Sequence, residues 1–406
     1  MNLSYFIAKR ITQNKDKSFS STVHKIAIAS ISVGLATMIV SFLILKGFQG
    51  TVTNKIYNFS SHLQITKYTL DNSFEEAPIS LNIDVFKHPE NYPYVEHIQE
   101  YGHKAGLVKT DQDVMGIVIK GVSQRFDTTR FASNMVKGRF LDFSDSNYSK
   151  ELVISQSIAD KLDVNLNDDL IVHFFQNPPR YRKLKVVGIY ETNLADYYDD
   201  KFMIGDLRMI RKLNDWNDSI AGGLEVFVKD ERNIDYAEQA LNEAVPLDLW
   251  VQKVSDKYVQ IFEWLYLISR QVNIFLGIIL FVVCVNMISI ILILIMERTQ
   301  MIGMLKALGG SNGLIRRIFS YNGIQLIAKG LLIGNLLGLG ICASQYYLKW
   351  FTLNPRDYYM SYVPIGWNWE IVIALNILTL IVVTIIIALP TILISRINPI
   401  KSIKFD

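Results

Sequence analysis

Residues Ile274–Met296 read IFLGIILFVVCVNMISIILILIM, and the next seventeen, Glu297–Gly313, read ERTQMIGMLKALGGSNG. The first run carries no charge and exceeds the roughly 20 apolar residues needed to cross a bilayer core. The second keeps a helical apolar spacing and closes on paired glycines. Three further runs match the first in length: Ile26–Leu45, Ile324–Leu348 and Ile371–Ile394. Four separate runs of this kind exclude buried core helices of a soluble protein. The first contains Ser30, Ser32, Gly34 and Ser41, and the third Gly330, Gly334, Gly338 and Gly340. Small residues at such spacing let membrane helices approach closely. The Ile26–Leu45 run is too long for a signal peptide and has no clean cleavage site after it, so it reads as an uncleaved anchor.

The rest of the composition agrees. Half of the 406 residues are apolar, and the mean hydropathy is +0.21, yet residues 51–272 are of ordinary polarity. A formal charge of +3 with no long basic run gives no reason to invoke nucleic acid. The two cysteines, Cys284 and Cys342, both lie inside apolar runs, so a disulfide framework is excluded.

Lysine and arginine in the short loops set the orientation. Lys9, Arg10, Lys15, Lys17 and Lys25 precede the first span. Arg298, Lys306, Arg316 and Arg317 follow the second, and Arg396, Lys401 and Lys404 follow the fourth, whereas the third-to-fourth loop has only Lys349 and Arg356. Both termini and the 297–323 loop are therefore expected in the cytoplasm. Leu3, Phe6, Ile7 and Ile11 recur at helical spacing beside Lys9 and Arg10, the pattern of a surface-lying amphipathic helix within residues 1–25. The expected order is spans at 26–45, 274–296, 324–348 and 371–394, an extracytoplasmic domain at 46–273, a short external loop at 349–370 and a tail at 395–406.

The large domain mixes strands and helices and reads as α+β with two subdomains. Leu63–Lys67, Leu107–Thr110, Val114–Gly121, Glu151–Ser155, Leu170–Phe175, Leu184–Tyr190 and Leu224–Lys229 are strand-like. Gln156–Leu162 and Asn233–Val245 are helical. Asp111, Gln112 and Asp113 form a hairpin turn. From Lys253 to Gln271, Val254, Tyr258, Ile261, Phe262, Leu265 and Ile268 fall at steps of three and four. This predicts one helix of about 65 Å running into the second span.

In the 297–313 loop, Met301, Met304, Leu305 and Leu308 make an apolar face flanked by Arg298 and Lys306. Gly309 and Gly310 end that helix, and Ser311 or Asn312 caps the next. An apolar face at a membrane surface needs lipid or protein to cover it.

The run Glu297–Gly309, with Ile318-Phe319 and the glycines of the third span, resembles the FtsX-like permease family of ABC transporters, which includes MacB-type and lipoprotein-releasing (Lol) permeases. Tyr5–Arg10 (YFIAKR), Lys46–Phe48 (KGF), Ser61–Ile65 (SHLQI), Val186–Asp199 (VVGIYETNLADYYD) and the closing Ile397–Ile403 (INPIKSI) are similar to the lipoprotein-releasing branch. Individually these motifs are weak, but their order along most of the chain is specific. The resemblance implies a permease dimer, either two copies or this chain with a sibling, and two ATPase subunits that bind ATP and Mg. The implied coupling helix docks on the ATPase through Glu297, Arg298, Met301, Ile302, Gly303, Met304, Leu305, Lys306, Leu308 and Gly309. It also implies lipoprotein cargo, lifted from the outer leaflet of a bacterial inner membrane and passed to a periplasmic carrier. The family arrangement builds the cargo cavity from the first two spans, placing Met38, Phe42, Leu45, Phe48, Ile268, Val272, Phe275 and Ile279 on it. The carrier-recruiting hairpin of the branch is long. Here its counterpart, Phe174–Tyr181, is short and tipped by Pro178-Pro179, so a carrier contact through Phe174, Phe175, Pro178, Pro179 and Tyr181 competes with a plain turn. Export of peptides or small amphiphiles, or transmembrane signalling to periplasmic partners, are the other functions the resemblance allows.

The chain itself is not expected to be an enzyme. It has no G-x-x-x-x-G-K-[ST] phosphate loop, no catalytic set, and no expected cofactor or metal. Glu96, His97, Glu100 and His103 superficially suggest ligands, with His97 and Glu100 able to share a helical face, but a solvated surface is the better reading. Lys329, within two turns of the cytoplasmic end of its span, can snorkel to the headgroups. Asn286, Asn335 and Asn376 are candidates for bonds between helices.

Overall fold

The computed structural model describes residues 19–69, 73–109, 114–145 and 147–391. The expected helix at Leu3–Ile11, the turn at Asp111–Asp113 and the closing Ile397–Ile403 lie outside the described residues. Among the described residues, four helices are long and apolar enough to cross a membrane: Phe19–Ser60, Val259–Glu297, Asn312–Leu348 and Trp369–Thr391. The first two extend well past their apolar runs, to about 63 and 58 Å at the α-helical rise. The first stops at Ser61, which takes a left-handed φ of 64°. The stripe expected to be helical from Lys253 is broken once. Val254–Lys257 is a separate turn, tied to the sheet through Val254 N–H donating to His62 O at 3.0 Å, and the uninterrupted helix begins at Val259.

The chain divides into two units, one of residues 1–50, 264–352 and 362–406 and the other of residues 51–263 and 353–361. In the helical unit, the glycine row of the third helix meets the first. A Cβ on Gly330 would fall 2.7 Å from Ile31, and one on Gly334 would fall 2.9 Å from Ser32 O. Ser32 Oγ donates to Gly330 O at 3.1 Å. Gly34 brings the second helix equally close, since a Cβ there would lie 2.5 Å from Val283. Asn335 and Asn376 exchange two amide bonds, of 2.7 and 2.9 Å, between the third and fourth helices. Paired amides with no water nearby satisfy each other.

The inserted unit is built on a mostly antiparallel sheet. Its strands are β1 (Leu63–Lys67), β2 (Ile79–Ser80), β3 (Val95–Lys109), β4 (Val114–Val122), β5 (Met135–Gly138), β6 (Glu151–Ser155), β7 (Asp169–Phe174), β8 (Arg180–Tyr190), β9 (Phe202–Asp206), β10 (Ile220–Ala221), β11 (Gly223–Val228) and β12 (Leu249–Lys253). The main order is β12-β1-β11-β3-β4-β9-β6-β8-β5, with β7 pairing β3 and β8 and β2 pairing β10 apart. Helices Gln156–Leu162, Leu207–Leu213 and Ile234–Ala244 pack on it. Ser155 caps the first of these by accepting from Ile158 N–H at 3.0 Å. The segment holding His97 and Glu100 is strand β3, not a helix, so a period of two sends those side chains to opposite faces.

Candidate coupling and cargo surfaces

The second spanning helix ends at Glu297, and the short helix Thr299–Ala307 follows after a break at Arg298. Thr299 Oγ1 bonds Met296 O at 2.7 Å, satisfying a carbonyl left open by the break. At the other end, Gly309 takes φ 90° while Gly310 N–H donates to Leu305 O at 2.8 Å. Ser311 Oγ then accepts from Leu314 N–H at 3.3 Å, starting the third helix. Both caps fall where the sequence placed them.

The apolar face of this helix is divided by its packing. Ile302 and Gly303 are buried, and Met301 and Leu305 pack against a cluster that includes Ile291, Leu294, Ile315 and Phe319. Met304 and Leu308, one turn apart, stay 60% and 80% exposed. Glu297 and Gly309 are exposed as well, and Arg298 and Lys306 are half-buried. Of the ten residues expected to contact an ATPase, Ile302 and Gly303 instead hold the helix in place, and Met304 and Leu308 are the apolar groups on offer.

The eight residues expected around cargo also separate. Met38 and Leu45 are enclosed within the chain's own packing, at 1% and 4% exposure. The close crossing at Gly34 brings the first two helices together one turn from Met38. Phe42, Val272 and Ile279 are partly buried in the same cluster as Met38, Leu43 and Leu276. Phe48 meets Trp264 edge-on at 5.5 Å. Ile268 is half-buried, and Phe275 is 67% exposed. Of the eight, Phe275 alone is exposed.

Phe174 is the last inward residue of β7, following Leu170 and Val172 in strict alternation, and is buried. The sequence reading that offered it to a partner missed that alternation. Phe175 and Tyr181 are 73% and 65% exposed, and Pro178 and Pro179 are exposed too. The turn is held down from beneath: Gln176 Nε2 donates to Leu213 O at 3.0 Å, and Arg180 donates to Lys212 O at 2.9 Å.

Three of the four candidate ligands on β3 have partners of their own, and the fourth, Glu100, keeps a buried Oε2 without a hydrogen bond. Glu96 pairs with Arg130 at 2.7 Å, His97 Nε2 bonds Arg125 O at 2.8 Å, and His103 Nδ1 bonds Glu76 at 2.5 Å. Burial pushes the Glu76 carboxyl up, but the charge and hydrogen bond of His103 outweigh it and leave Glu76 below the usual carboxylate range.

One cluster was not foreseen. Lys120, at 1% exposure, bonds Phe59 O in the last turn of the first helix and pairs with Glu225 at 2.6 Å. Gln99 Nε2 donates to the other Glu225 oxygen at 2.8 Å. Beside it, Phe59 stacks on Tyr198 at 4.1 Å and Ser60 bonds the Tyr198 hydroxyl at 2.9 Å. Burial pulls the Lys120 ammonium down from its ordinary value, and Glu225 opposes that. The end of the first helix is thus fixed to β4 and β11 by a satisfied charge network.

Residues 26–244 match the MacB-like periplasmic core domain, and residues 273–399 match the FtsX-like permease C-terminal domain. The chain belongs to the FtsX-like, MacB-type permease family. Among relatives, it is 23% identical over 91% of both chains to the lipoprotein-releasing system transmembrane protein LolE of Haemophilus influenzae. It is 22% identical to the corresponding LolC of Neisseria meningitidis, over 90% of this chain and 88% of that one. The crystal structure of the periplasmic region of MacB from Actinobacillus actinomycetemcomitans aligns with 54% of this chain and 97% of its own at 15% identity, with a TM-score of 0.38. The permease is accordingly a multi-pass inner-membrane protein of an ABC transporter, with its α+β domain in the periplasm between the first and second spans.

Proposed function

We propose that the permease couples ATP hydrolysis by a separate ATPase subunit to the extraction of lipoproteins from the outer leaflet of the inner membrane. The observation that carries this reading is the short helix Thr299–Ala307, braced from within by Ile302 and presenting Met304 and Leu308 outward, in a chain whose relatives are lipoprotein-releasing permeases. Both termini and this helix face the cytoplasm, as the basic loops require. Two ATPase copies, which hold the ATP and Mg, and a second permease complete the assembly. Docking of Met304 and Leu308 in an ATPase groove lets nucleotide-driven movement pull on the second helix, which runs unbroken from Glu297 back to Val259. Cargo acyl chains lie against Phe275, Phe42, Val272 and Ile279. A polar group placed among them without a partner disfavours an acyl chain by a few kcal/mol.

Reconstitution of the permease with its ATPase and sibling in proteoliposomes tests the reading. ATP-dependent transfer of a triacylated lipoprotein to a soluble acceptor is expected, and the same polypeptide without acyl chains should not be mobilised. Equal handling of both forms contradicts it and favours peptide export. Photo-crosslinkers at Phe275 should capture lipoprotein in that system, and ones at Ile385, an exposed position on the fourth helix, should not.

A further inference from the structure

The chain between the third and fourth spanning helices enters the periplasmic unit and returns. Residues 353–361 belong to that unit, while the residues on either side belong to the helical one. The path is a narrow ribbon. Val363 N–H donates to Phe351 O at 3.0 Å, Thr352 and Tyr362 form a β-bridge, and Leu353 N–H donates to Ser361 O at 3.0 Å.

Its base is bolted to the helices. Gln345, buried near the end of the third helix, spends its whole amide there: Nε2 donates to Phe351 O at 3.2 Å and Val363 O at 3.0 Å, and Oε1 accepts from Phe351 N–H at 3.0 Å. Gly366 N–H donates to Leu43 O at 2.9 Å, and a Cβ on Gly366 would fall 2.5 Å from Gly47 N. Its tip is equally fixed within the periplasmic unit. Asn354 caps the turn Pro355–Tyr358, and Lys55 Nζ donates to Tyr359 O at 2.8 Å. The Tyr359 ring lies edge-on to Tyr197 at 6.5 Å. Burial raises the Asp200 carboxyl, yet bonds from Ser157 and Lys161 and the Arg356 charge bring it below its ordinary value.

A loop that merely joins two helices needs neither anchorage. We propose that this hairpin is a second mechanical link. Its tip rides with the periplasmic domain and passes that domain's movement to the third and fourth helices, beside the continuity that the first and second helices already provide. The proposal rests on the reading of the permease as a cycling transporter but not on the identity of its cargo. Coupling of this kind needs a stiff element that two regions can bias together.

The test uses the full permease with its ATPase in nanodiscs, with Cys284 and Cys342 replaced by alanine. A cysteine is placed at Tyr347, an exposed residue near the end of the third helix, and its labelling rate by a maleimide is measured without nucleotide and after trapping with ATP and vanadate. The parent rate is expected to differ between the two states. Lys55→Met with Tyr359→Gly loosens the tip. Glycine suits the left-handed φ of 60° at 359, so folding, assembly and ATP hydrolysis should persist while the nucleotide-dependent difference is lost. In a second variant, without the Tyr347 probe, Lys55→Cys and Tyr359→Cys are joined by a short bismaleimide and ATP-dependent proteolytic protection of the third helix is followed. That difference should survive. A parent with no nucleotide-dependent change, a loosened variant that behaves like the parent, or a joined variant that loses the response each overturns the link. Lipoprotein release is not read in this experiment, so failure of the cargo assignment shows separately, in the proteoliposome assay.

Discussion

Two regions of the molecule, the periplasmic end of the first helix and the short helix after the second span, are built on opposite principles. At the periplasmic end of the first helix, Lys120, Glu225 and Gln99 are buried and satisfy one another around Phe59 O. At the short helix between the second and third spans, Met304 and Leu308 are apolar and uncovered. A buried, completed network fixes one geometry, because any missing member leaves a charge without compensation. An exposed apolar pair waits for a partner and loses little until the partner comes. The first is a permanent joint within the chain, and the second is the surface that the proposed function gives to a separable subunit.

The largest effect expected from this contrast is at the joint. Lys120→Met strands the Glu225 carboxylate and should destabilise the periplasmic domain by about 3–5 kcal/mol. Denaturant unfolding of that domain in the intact permease would measure it. Adding Glu225→Leu should recover much of the loss, and no recovery would mean the pair acts through something other than charge compensation. Next comes helix contact. Gly334→Leu forces a side chain against Ser32 O and Leu35 and should cost about 1–3 kcal/mol, read as a lower melting temperature in detergent. Replacement of the exposed Gly340, which has open space around it, should leave the melting temperature alone.

A smaller effect is expected from acid. The Glu76 carboxyl is depressed in the folded domain, so its contribution is present above its unfolded value of about 4.3 and fades as pH falls through the lower folded value. Glu76→Gln should therefore flatten the acid limb of stability below about pH 4.3 relative to the parent, and parallel limbs would contradict the assignment. The smallest effect is at the turn. Phe175→Ser with Tyr181→Ser removes only exposed rings and should shift stability by less than about 0.5 kcal/mol. A carrier-binding loss in that variant would give the short hairpin the recruiting role that its pinned geometry argues against.

Much of this was legible beforehand. The spans follow from apolar length, and the caps at Gly309 and Ser311 follow from residue type. Strands such as Leu63–Lys67 and Glu151–Ser155 follow from local composition. What local reading misses is long-range pairing. Lys120 and Glu225 are 105 residues apart in sequence, and nothing around either marks it as buried. The β3 segment was opaque because its polar residues hide strand periodicity, and Glu96, His97 and His103 find their partners elsewhere in the chain. Residues 351–363 looked like an ordinary connection, since Gln345, Lys55 and Tyr197 give no local sign of contacting it. The apolar face of the short helix was legible, but which of its residues point inward depends on Ile291, Ile315 and Phe319 closing over Ile302 and Leu305. Packing of that kind is set by three helices at once.

The central claim is that the exposed pair on the short helix is the ATPase contact. Photo-crosslinkers placed singly at Met304, Leu308 and, as an exposed control on the fourth helix, Ile385 should be activated in inner-membrane vesicles containing the whole transporter. Capture of the ATPase subunit from Met304 and Leu308, and none from Ile385, is the predicted result. Capture that is equal at all three positions, or absent at Met304 and Leu308 while the ATPase still co-purifies, would contradict the account.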